Sequence, residues 1–471
     1  MLRLYNTLTR HEEPFTPSRD DVVRMYACGL TTYARGHIGN FRTFVCLDVL
    51  RRTLRHLCGF GVRGAMNYTD VADKTIAGAA TAGSTLREYT DRWIHCFEED
   101  SAMLGLETLE EMPRATDESN LRAMGEMVLA LESHGHTYRR DGSIYFKIGT
   151  FPTYGRLARL DQEGMRSGVS VDVDEYSKDD ARDFVLWKAS KPGEPSWDYG
   201  TGPGRPGWHL ECSAMALRLL GEGPIDIHAG GIDLIFPHHE NEIAQAEGAT
   251  AQPFARFWVH VEHLFVEGDK MSKSLGNVYT VPDVVAKGYR PSALRYLLLS
   301  SHYRKQLNFT WAGMDQAEES LRRIVDCLVR LEDVAVGDAH AAIVTRVAEA
   351  RQAFAEALEA DLNTAAGLAV VFDLVREVNS AIDARQIATA DAALVRAVIE
   401  ECDRVLGVVS LRQAEDARPP VPVEEIERLI GERKAARQRR DFAAADGIRV
   451  GLAERGILLE DNPSGTRWKR K

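Results

Sequence analysis

The sequence predicts an α/β protein whose parallel sheet is split by an insertion and is followed by a helical bundle and a small C-terminal module. Three observations predict it. Strand-like and helix-like runs alternate at the start, sheet-like runs resume after residue 205, and from about residue 312 helical periodicity takes over.

VVRMYACGL (22–30) is a short apolar run rich in β-formers. A Gly-containing turn follows, then FRTFVCLDVLRRTLRHL (41–57), whose apolar residues recur at helical spacing. VRGAMNYTD (62–70) is the next strand candidate, so the chain opens β-α-β with parallel pairing. Residues 111–204 read as the insertion, with a helical stretch near 119–133, a strand at SIYFKI and the turn-rich KPGEPSWDYGTGPGRPGW. PIDIHAGGIDLIF and FWVHVEHLFVEG return to the sheet, making residues 1–110 and 205–311 one domain in two pieces. Leu321, Ile324, Val325, Leu328 and Leu331 set a helical stripe that alanine-rich amphipathic stretches continue, placing a bundle at 312–410. RPPVP (418–422) reads as a stiff linker to a module at 423–471, two helices and an irregular tail.

The chain has 471 residues, 44% of them hydrophobic and 27% charged, enough apolar material for several soluble cores. No apolar run approaches the roughly 18 residues a bilayer demands. MLRLYNTLTRHEEPF lacks the basic start and apolar centre of a secretory signal. A cytoplasmic protein with no membrane partner is therefore expected. Seven scattered cysteines argue for reduced thiols, some available as metal ligands, rather than a disulfide framework. The net charge of −12 opposes a nucleic-acid partner only at first sight, because phosphate binding depends on local patches. Arg433, Lys434, Arg437, Arg439 and Arg440 lie within eight residues, and the chain ends RWKRK. On charge alone, the ordinary reading is a solvated helix face and a solubilising tail.

Three constellations carry chemistry. GHIGN (36–40) sits between a strand and a helix N-terminus, where free N–H groups and partial positive charge suit phosphate. Gly39 lets a flat base approach the backbone closely, and His37 and Asn40, three apart, can both face one triphosphate. Alone, the string is more often a capped helix turn. KMSKSLGN (270–277) occupies a Ser/Gly-rich loop after a strand, and Lys270 and Lys273 can clamp a pyrophosphate as its charge develops. Alone, it is a basic surface loop. The third set joins Cys28 at the end of the first strand, Cys212 in GWHLECSAM, and a histidine with Glu242 in PHHENEIAQ. Thiolate, imidazole and carboxylate suit Zn²⁺ better than a hard cation. His238 lies four residues before Glu242, on one helix face. Six of the fourteen histidines (209, 228, 238, 239, 260 and 263) fall within 55 residues, which marks a working site. The sequence leaves His238 and His239 both open as the ligand.

GHIGN and KMSKS, each after a strand, together resemble the two signature sequences of class I aminoacyl-tRNA synthetases. C-G-x-T-x-Y before GHIG, then GRPGWHLECSAM, DIHAGGIDLIFPHHENEIAQ and KMSKSLGN, resemble the cysteinyl-tRNA synthetase family. The likeness continues through DFVLWKASKPGEPSWD (183–198) into LLEDNPSGTRWKRK. It implies a Rossmann-like catalytic domain, a connective insertion and a C-terminal anticodon-binding module. The activity it implies is that of a cysteine–tRNA ligase, forming cysteinyl-adenylate from L-cysteine and ATP with Mg²⁺ and passing cysteine to the 3′ end of tRNA(Cys). One Zn²⁺ per chain, on Cys28, Cys212, His238 and Glu242, would select cysteine through its thiolate. ATP would meet His37, Gly39, Asn40 and Lys273, with catalytic charge neutralisation shared by His37, Asn40, Lys270 and Lys273. Gly29, Thr31 and Trp208 would line the cysteine pocket. Arg437, Asp446, Asp461 and Trp468 would read the anticodon, and a monomer is expected. The first signature usually ends in histidine, where this chain has Asn40; an amide still donates to phosphate.

Two rival readings are weaker. A ligase that passes cysteine from the same adenylate to an amino sugar, as in mycothiol synthesis, would lack the basic C-terminal module. A non-catalytic tRNA- or zinc-binding relative would have lost one of the two signatures, and both are present.

Overall fold

The strands on either side of the insertion meet in one sheet. The computed structural model describes residues 1–160, 183–221, 223–272, 275–462 and 465–470, and it divides into two units, Met1–Leu406 and Gly407–Lys471. In the first unit, a hairpin of β1 (Arg3–Asn6) and β2 (His11–Pro14) precedes β3 (Val22–Ala27), α1 (Ile38–Arg52) and β4 (Gly61–Met66). β3 and β4 run parallel, with Val22 opposite Gly61 and Ala27 opposite Met66. After α2 (Asp73–Ala82) and α3 (Leu86–Met103) comes the insertion. It contains α4 (Glu118–Ser133) and an antiparallel sheet of β5 (Thr137–Arg140), β6 (Ser143–Phe146), β7 (Phe184–Ala189) and β8 (Gly204–Pro206) in sequential order.

The chain then returns through α5 (Trp208–Leu220), β9 (Ile225–Gly231), α6 (Glu240–Thr250) and β10 (Ala255–Val261). β9 lies beside β3, with Ala229 opposite Ala27, and the sheet order is β10-β9-β3-β4, all parallel. Parallel strands are covered on both faces and so read as near-continuous apolar runs. Val23, Met25, Tyr26 and Ala27 on β3 and Ile225, Ile227 and Ala229 on β9 are accordingly buried. The carboxyl ends of β3 and β9 stand side by side, the place where open parallel sheets bind ligands.

A small sheet of β11 (Leu264–Val266), β12 (Asp269–Lys270) and β13 (Leu307–Phe309) carries the start of the second signature, with α7 (Val281–Ala286) and α8 (Pro291–Leu299) between β12 and β13. The bundle follows as α9 (Trp311–Arg330), α10 (Ala341–Glu359), α11 (Thr364–Asp383) and α12 (Thr389–Leu406). The stripe on α9 packs as its spacing predicts: Leu321, Ile324 and Leu328 are buried and Val325 lies at its edge. Among the described residues, no helix is long and apolar enough to cross a membrane.

The second unit comprises α13 (Val409–Asp416), α14 (Val423–Gln438), α15 (Phe442–Glu454) and a hairpin of β14 (Ile457–Asn462) and β15 (Gly465–Arg470). Its core is Val421, Ile426, Leu452, Ile457 and Leu459. Val421 belongs to RPPVP, so the stretch expected to be a stiff linker packs into this unit. The tail, expected to be irregular, is a strand pair. Ile457 and Leu459 alternate into the core with the two-residue period of a strand, while Glu460 faces out.

Candidate active site

β3 ends at Ala27 and the backbone continues through Cys28 and Gly29. Gly29 has no room for a side chain, because a Cβ there would lie 1.7 Å from Asn67 O. Its N–H donates to Asn67 Oδ1 at 3.1 Å. This close crossing of backbones fixes Cys28 beside the other donors.

Cys28 Sγ lies 3.4 Å from His238 Nε2, 3.4 Å from His239 Nε2 and 3.2 Å from Glu242 Oε1. The histidines come from the π-helical turn Ile235–His239 that runs into α6, and Glu242 from the first turn of α6. His238 Nε2 is 2.8 Å from Glu242 Oε1. Cys212, in the second turn of α5, completes a buried group in which the donor atoms of Cys28, Cys212, His238 and Glu242 all lie within 4.8 Å of one another. A second group shares Cys28 and Glu242 but takes His228 and His239. Two sulfurs, an imidazole and a carboxylate, buried and this close, fit a four-coordinate Zn²⁺ by donor type and spacing.

Hydrogen bonds orient these rings. His209 Nδ1 meets His238 Nδ1 at 2.9 Å, His228 Nε2 meets Glu242 Oε2 at 2.6 Å, and His239 Nδ1 meets His260 Nε2 at 2.7 Å. Trp208 stacks on His238 with centroids 4.4 Å apart. Five of the six clustered histidines thus join one network, and the sixth, His263, lines the adjoining cleft.

The electrostatics are mixed. Burial, together with Cys212 and Glu242, pushes the Cys28 thiol well up. Burial also opposes ionisation of Cys212, but a hydrogen bond from Cys28 and the charge of His238 bring it down to about 6. Burial disfavours imidazolium at His238, yet Glu242 and Cys212 raise it to about 10. At His239 burial and the charge of His228 outweigh that of Glu242 and press it well below its ordinary value.

Above the cluster lies a cleft of about 450 Å³ lined by Cys28, Gly29, Thr31, His37, Gly39, Asn40, Trp208 and Lys270. The two signature strings touch there. A Cβ on Gly39 would lie 2.4 Å from Met271 Cε, and Ile38 N–H donates to Tyr279 O at 2.9 Å. Lys273 lies outside the described residues. Asp233 and Lys74 also line the cleft and were missed; Asp233 stands in the quoted GGIDLIF string, whereas nothing in the local sequence singles out Lys74.

In the second unit, Asp461 accepts two bonds from Arg433 (2.8 and 2.7 Å), one from Arg437 (3.1 Å) and one from Thr466 Oγ1 (2.7 Å). Arg433 and Thr466 hold its carboxyl well below the usual range. Trp468 Nε1 donates to Glu427 Oε1 at 3.0 Å, and Asp446 is exposed on α15. The basic run therefore divides: Arg433 is buried and pinned, while Arg437 is exposed.

Residues 14–319 match the family described as tRNA synthetases class I (C) catalytic domain, and residues 353–410 match the DALR domain. A cysteine–tRNA ligase of Solibacter usitatus (strain Ellin6076) is 50% identical over 478 residues, covering 100% of both chains. One of Koribacter versatilis (strain Ellin345) is 45% identical over 497 residues, again covering 100% of both. Mycobacterium tuberculosis methionyl-tRNA synthetase in complex with methionyl-adenylate shares the fold, with a TM-score of 0.58 at 16% identity over 83% of this chain and 91% of that one. Matched end to end by relatives of this identity, the chain belongs to the cysteine–tRNA ligase family of class I aminoacyl-tRNA synthetases.

Proposed function

We propose that the enzyme activates L-cysteine with ATP to cysteinyl-adenylate and transfers it to the 3′ end of tRNA(Cys), with one Zn²⁺ on Cys28, Cys212, His238 and Glu242 selecting cysteine over serine. The observation that carries this reading is a buried cluster of two thiols, an imidazole and a carboxylate at the base of a cleft whose walls include His37, Asn40 and Lys270. The donor set with His238 offers two sulfurs and is stacked by Trp208 from the cleft side, whereas the set with His239 offers one sulfur. When bound there, Zn²⁺ supplies a soft Lewis acid that prefers a thiol sulfur to a hydroxyl oxygen.

The chain's own residues supply the positioning. Trp208, Gly29 and Thr31 bound the pocket for the amino acid, and the acidic Asp233 suits its ammonium group. His37 commits Nδ1 to the Asn40 N–H, so its Nε2–H is the nitrogen free to donate to phosphate. Asn40 adds amide donors, and Lys270 with Lys273 of the same signature neutralises the departing pyrophosphate. The cysteine carboxylate oxygen attacks the α-phosphorus of ATP and pyrophosphate leaves. The terminal ribose hydroxyl of tRNA then attacks the carbonyl carbon and AMP leaves. No side-chain nucleophile is needed. The second unit reads the anticodon through Arg437, Asp446 and Trp468, with Asp461 bracing Arg437.

The test is ATP–pyrophosphate exchange followed by tRNA charging. The purified enzyme should exchange with cysteine, discriminate against serine by about 10⁴ or more, and charge tRNA(Cys). Exchange that serine supports as well as cysteine would sink the selection mechanism, and no exchange with either would sink the reading.

A further inference from the structure

A second cavity, of about 280 Å³, lies against the sheet between α1 and α3. Its walls are mostly apolar: Met25 and Ala27 of β3, Met66 of β4, Phe44 and Leu47 of α1 and Phe97 of α3. Protein cores hold few voids larger than a water molecule. An apolar cavity of roughly 150 Å³ already takes one benzene ring, so this one has room for two fused rings. Two residues of its lining, Ser101 and Arg51, each carry a buried polar atom, Oγ and Nε, that has no hydrogen-bond partner among the described residues. A guest with one acceptor atom would satisfy a donor there that the protein leaves unmet.

The outer side is bordered by the segment 105–110, which arginines of α1 and its extension grip. Arg51 donates to Glu107 O (3.1 Å) and Thr108 O (3.3 Å), Arg52 to Gly105 O (2.8 Å), and Arg55 to Glu107 Oε2 (3.0 Å). Glu107 and Glu110 are partly solvated, with side chains 28% and 34% exposed.

Phe44 lines this cavity and the catalytic cleft alike. It stands one turn beyond Asn40 on α1 and packs edge-on against Phe97, with ring centroids 5.2 Å apart. A guest that prefers one placement of the Phe44 and Phe97 rings must bias the wall of the cleft, and what binds in the cleft must bias the guest by the same factor.

We propose that this cavity binds an uncharged two-ring aromatic molecule carrying one hydrogen-bond acceptor, and that its occupancy is coupled through Phe44 to ATP binding. The coupling rests on the ATP reading of the cleft; the cavity as a binding site does not.

Quinoline is a suitable probe, with naphthalene as the same shape lacking the acceptor. On the full-length enzyme carrying ¹³C-methyl methionine, quinoline should saturably shift the methyls of Met25, Met66 and Met112, which all line the cavity. Ser101→Ala should weaken quinoline at least threefold and leave naphthalene unchanged. Ser101→Phe, which fills the space, should abolish both. Quinoline should change the Kd for ATP at least threefold, and ATP should change the quinoline Kd by the same factor. No methyl shifts at millimolar quinoline, or shifts that persist in a folded Ser101→Phe enzyme, overturn the site. Saturable shifts with the Kd for ATP unmoved overturn the coupling, and normal exchange kinetics in the absence of quinoline show that the ATP reading itself stands.

Discussion

Asn40 and His37 hold each other across the first turn of α1. Asn40 Oδ1 accepts the His37 backbone N–H at 3.0 Å, and His37 Nδ1 accepts the Asn40 backbone N–H at 3.2 Å. This capping box satisfies two helix-end donors and places both side chains at the cleft. Burial lowers the His37 pKa, so the ring is neutral near pH 7 with its proton on Nε2. Asn40 keeps its amide hydrogens for the cleft, which accounts for its tolerance in place of the usual histidine. Asn40→Asp retains the capping oxygen but exchanges those hydrogens for a negative charge. We expect it to leave Tm nearly unchanged and to cut pyrophosphate exchange at least tenfold. Asn40→Ala should lose the cap as well, at about 0.5–2 kcal/mol. An Asn40→Asp enzyme with normal exchange would remove Asn40 from phosphate contact.

The two overlapping donor sets make different predictions. Wild-type enzyme should hold one zinc per chain. Cys212→Ser and His238→Ala should lose both the metal and cysteine-dependent exchange. His239→Ala should keep the metal, with affinity lowered by about 10–100-fold, as expected when a group that orients a ligand is removed. Metal analysis of the three variants separates the sets. Zinc lost from His239→Ala but kept by His238→Ala would assign the ion to His228 and His239.

Asp48 ties the catalytic half together. Its carboxylate takes Arg295 Nη2 at 2.6 Å, Arg52 Nε at 2.8 Å and the Glu107 N–H at 3.0 Å. Burial opposes its ionisation, but Arg295, Arg52 and that N–H together hold its pKa below the usual value. Asp48→Asn leaves the fully buried Arg295 without its countercharge and should cost about 3–5 kcal/mol. A depressed carboxylate pKa contributes stability above its unfolded value of about 3.9, and that contribution is lost as pH falls through the folded value. The gap between wild type and Asp48→Asn should therefore be flat from pH 8 to 5 and narrow below about pH 4. A gap that widens on acidification contradicts the ion-pair account.

Much of the catalytic half was legible because its chemistry demands particular residue types in short strings. Gly29 is forced by a backbone 1.7 Å from where its Cβ would be, and Cys28 beside it by the donor cluster. The choice between His238 and His239 was not legible, because both rings reach Cys28 Sγ at the same 3.4 Å and only their outer partners differ. The C-terminal hairpin was hidden because only Ile457 and Leu459 mark its buried face among charged neighbours. The apolar cavity was hidden too, since its walls come from β3, β4, α1 and α3, and each contributes an ordinary core residue.

The pairing of Arg433 with Asp461 joins residues 28 apart, and it changes what the basic cluster can do. Asp461 was expected to meet a base directly, but its oxygens already accept from Arg433, Arg437 and Thr466. Asp461 thus braces Arg437, which is half exposed beside the exposed Lys434, Arg439 and Arg440. The two substitutions should therefore differ. Arg437→Ala should raise KM for tRNA, leave Tm unchanged and reduce the salt dependence of tRNA binding by about one ion. Asp461→Ala should raise KM for tRNA and also destabilise the second unit by about 1–3 kcal/mol, because Arg433 is left buried without its partner. Neither should alter cysteine-dependent pyrophosphate exchange. Limited proteolysis reads the stability difference and charging at two salt concentrations reads the electrostatic one. If Arg437→Ala charges tRNA normally at both, the exposed arginine is not an RNA contact and the second unit binds through other residues.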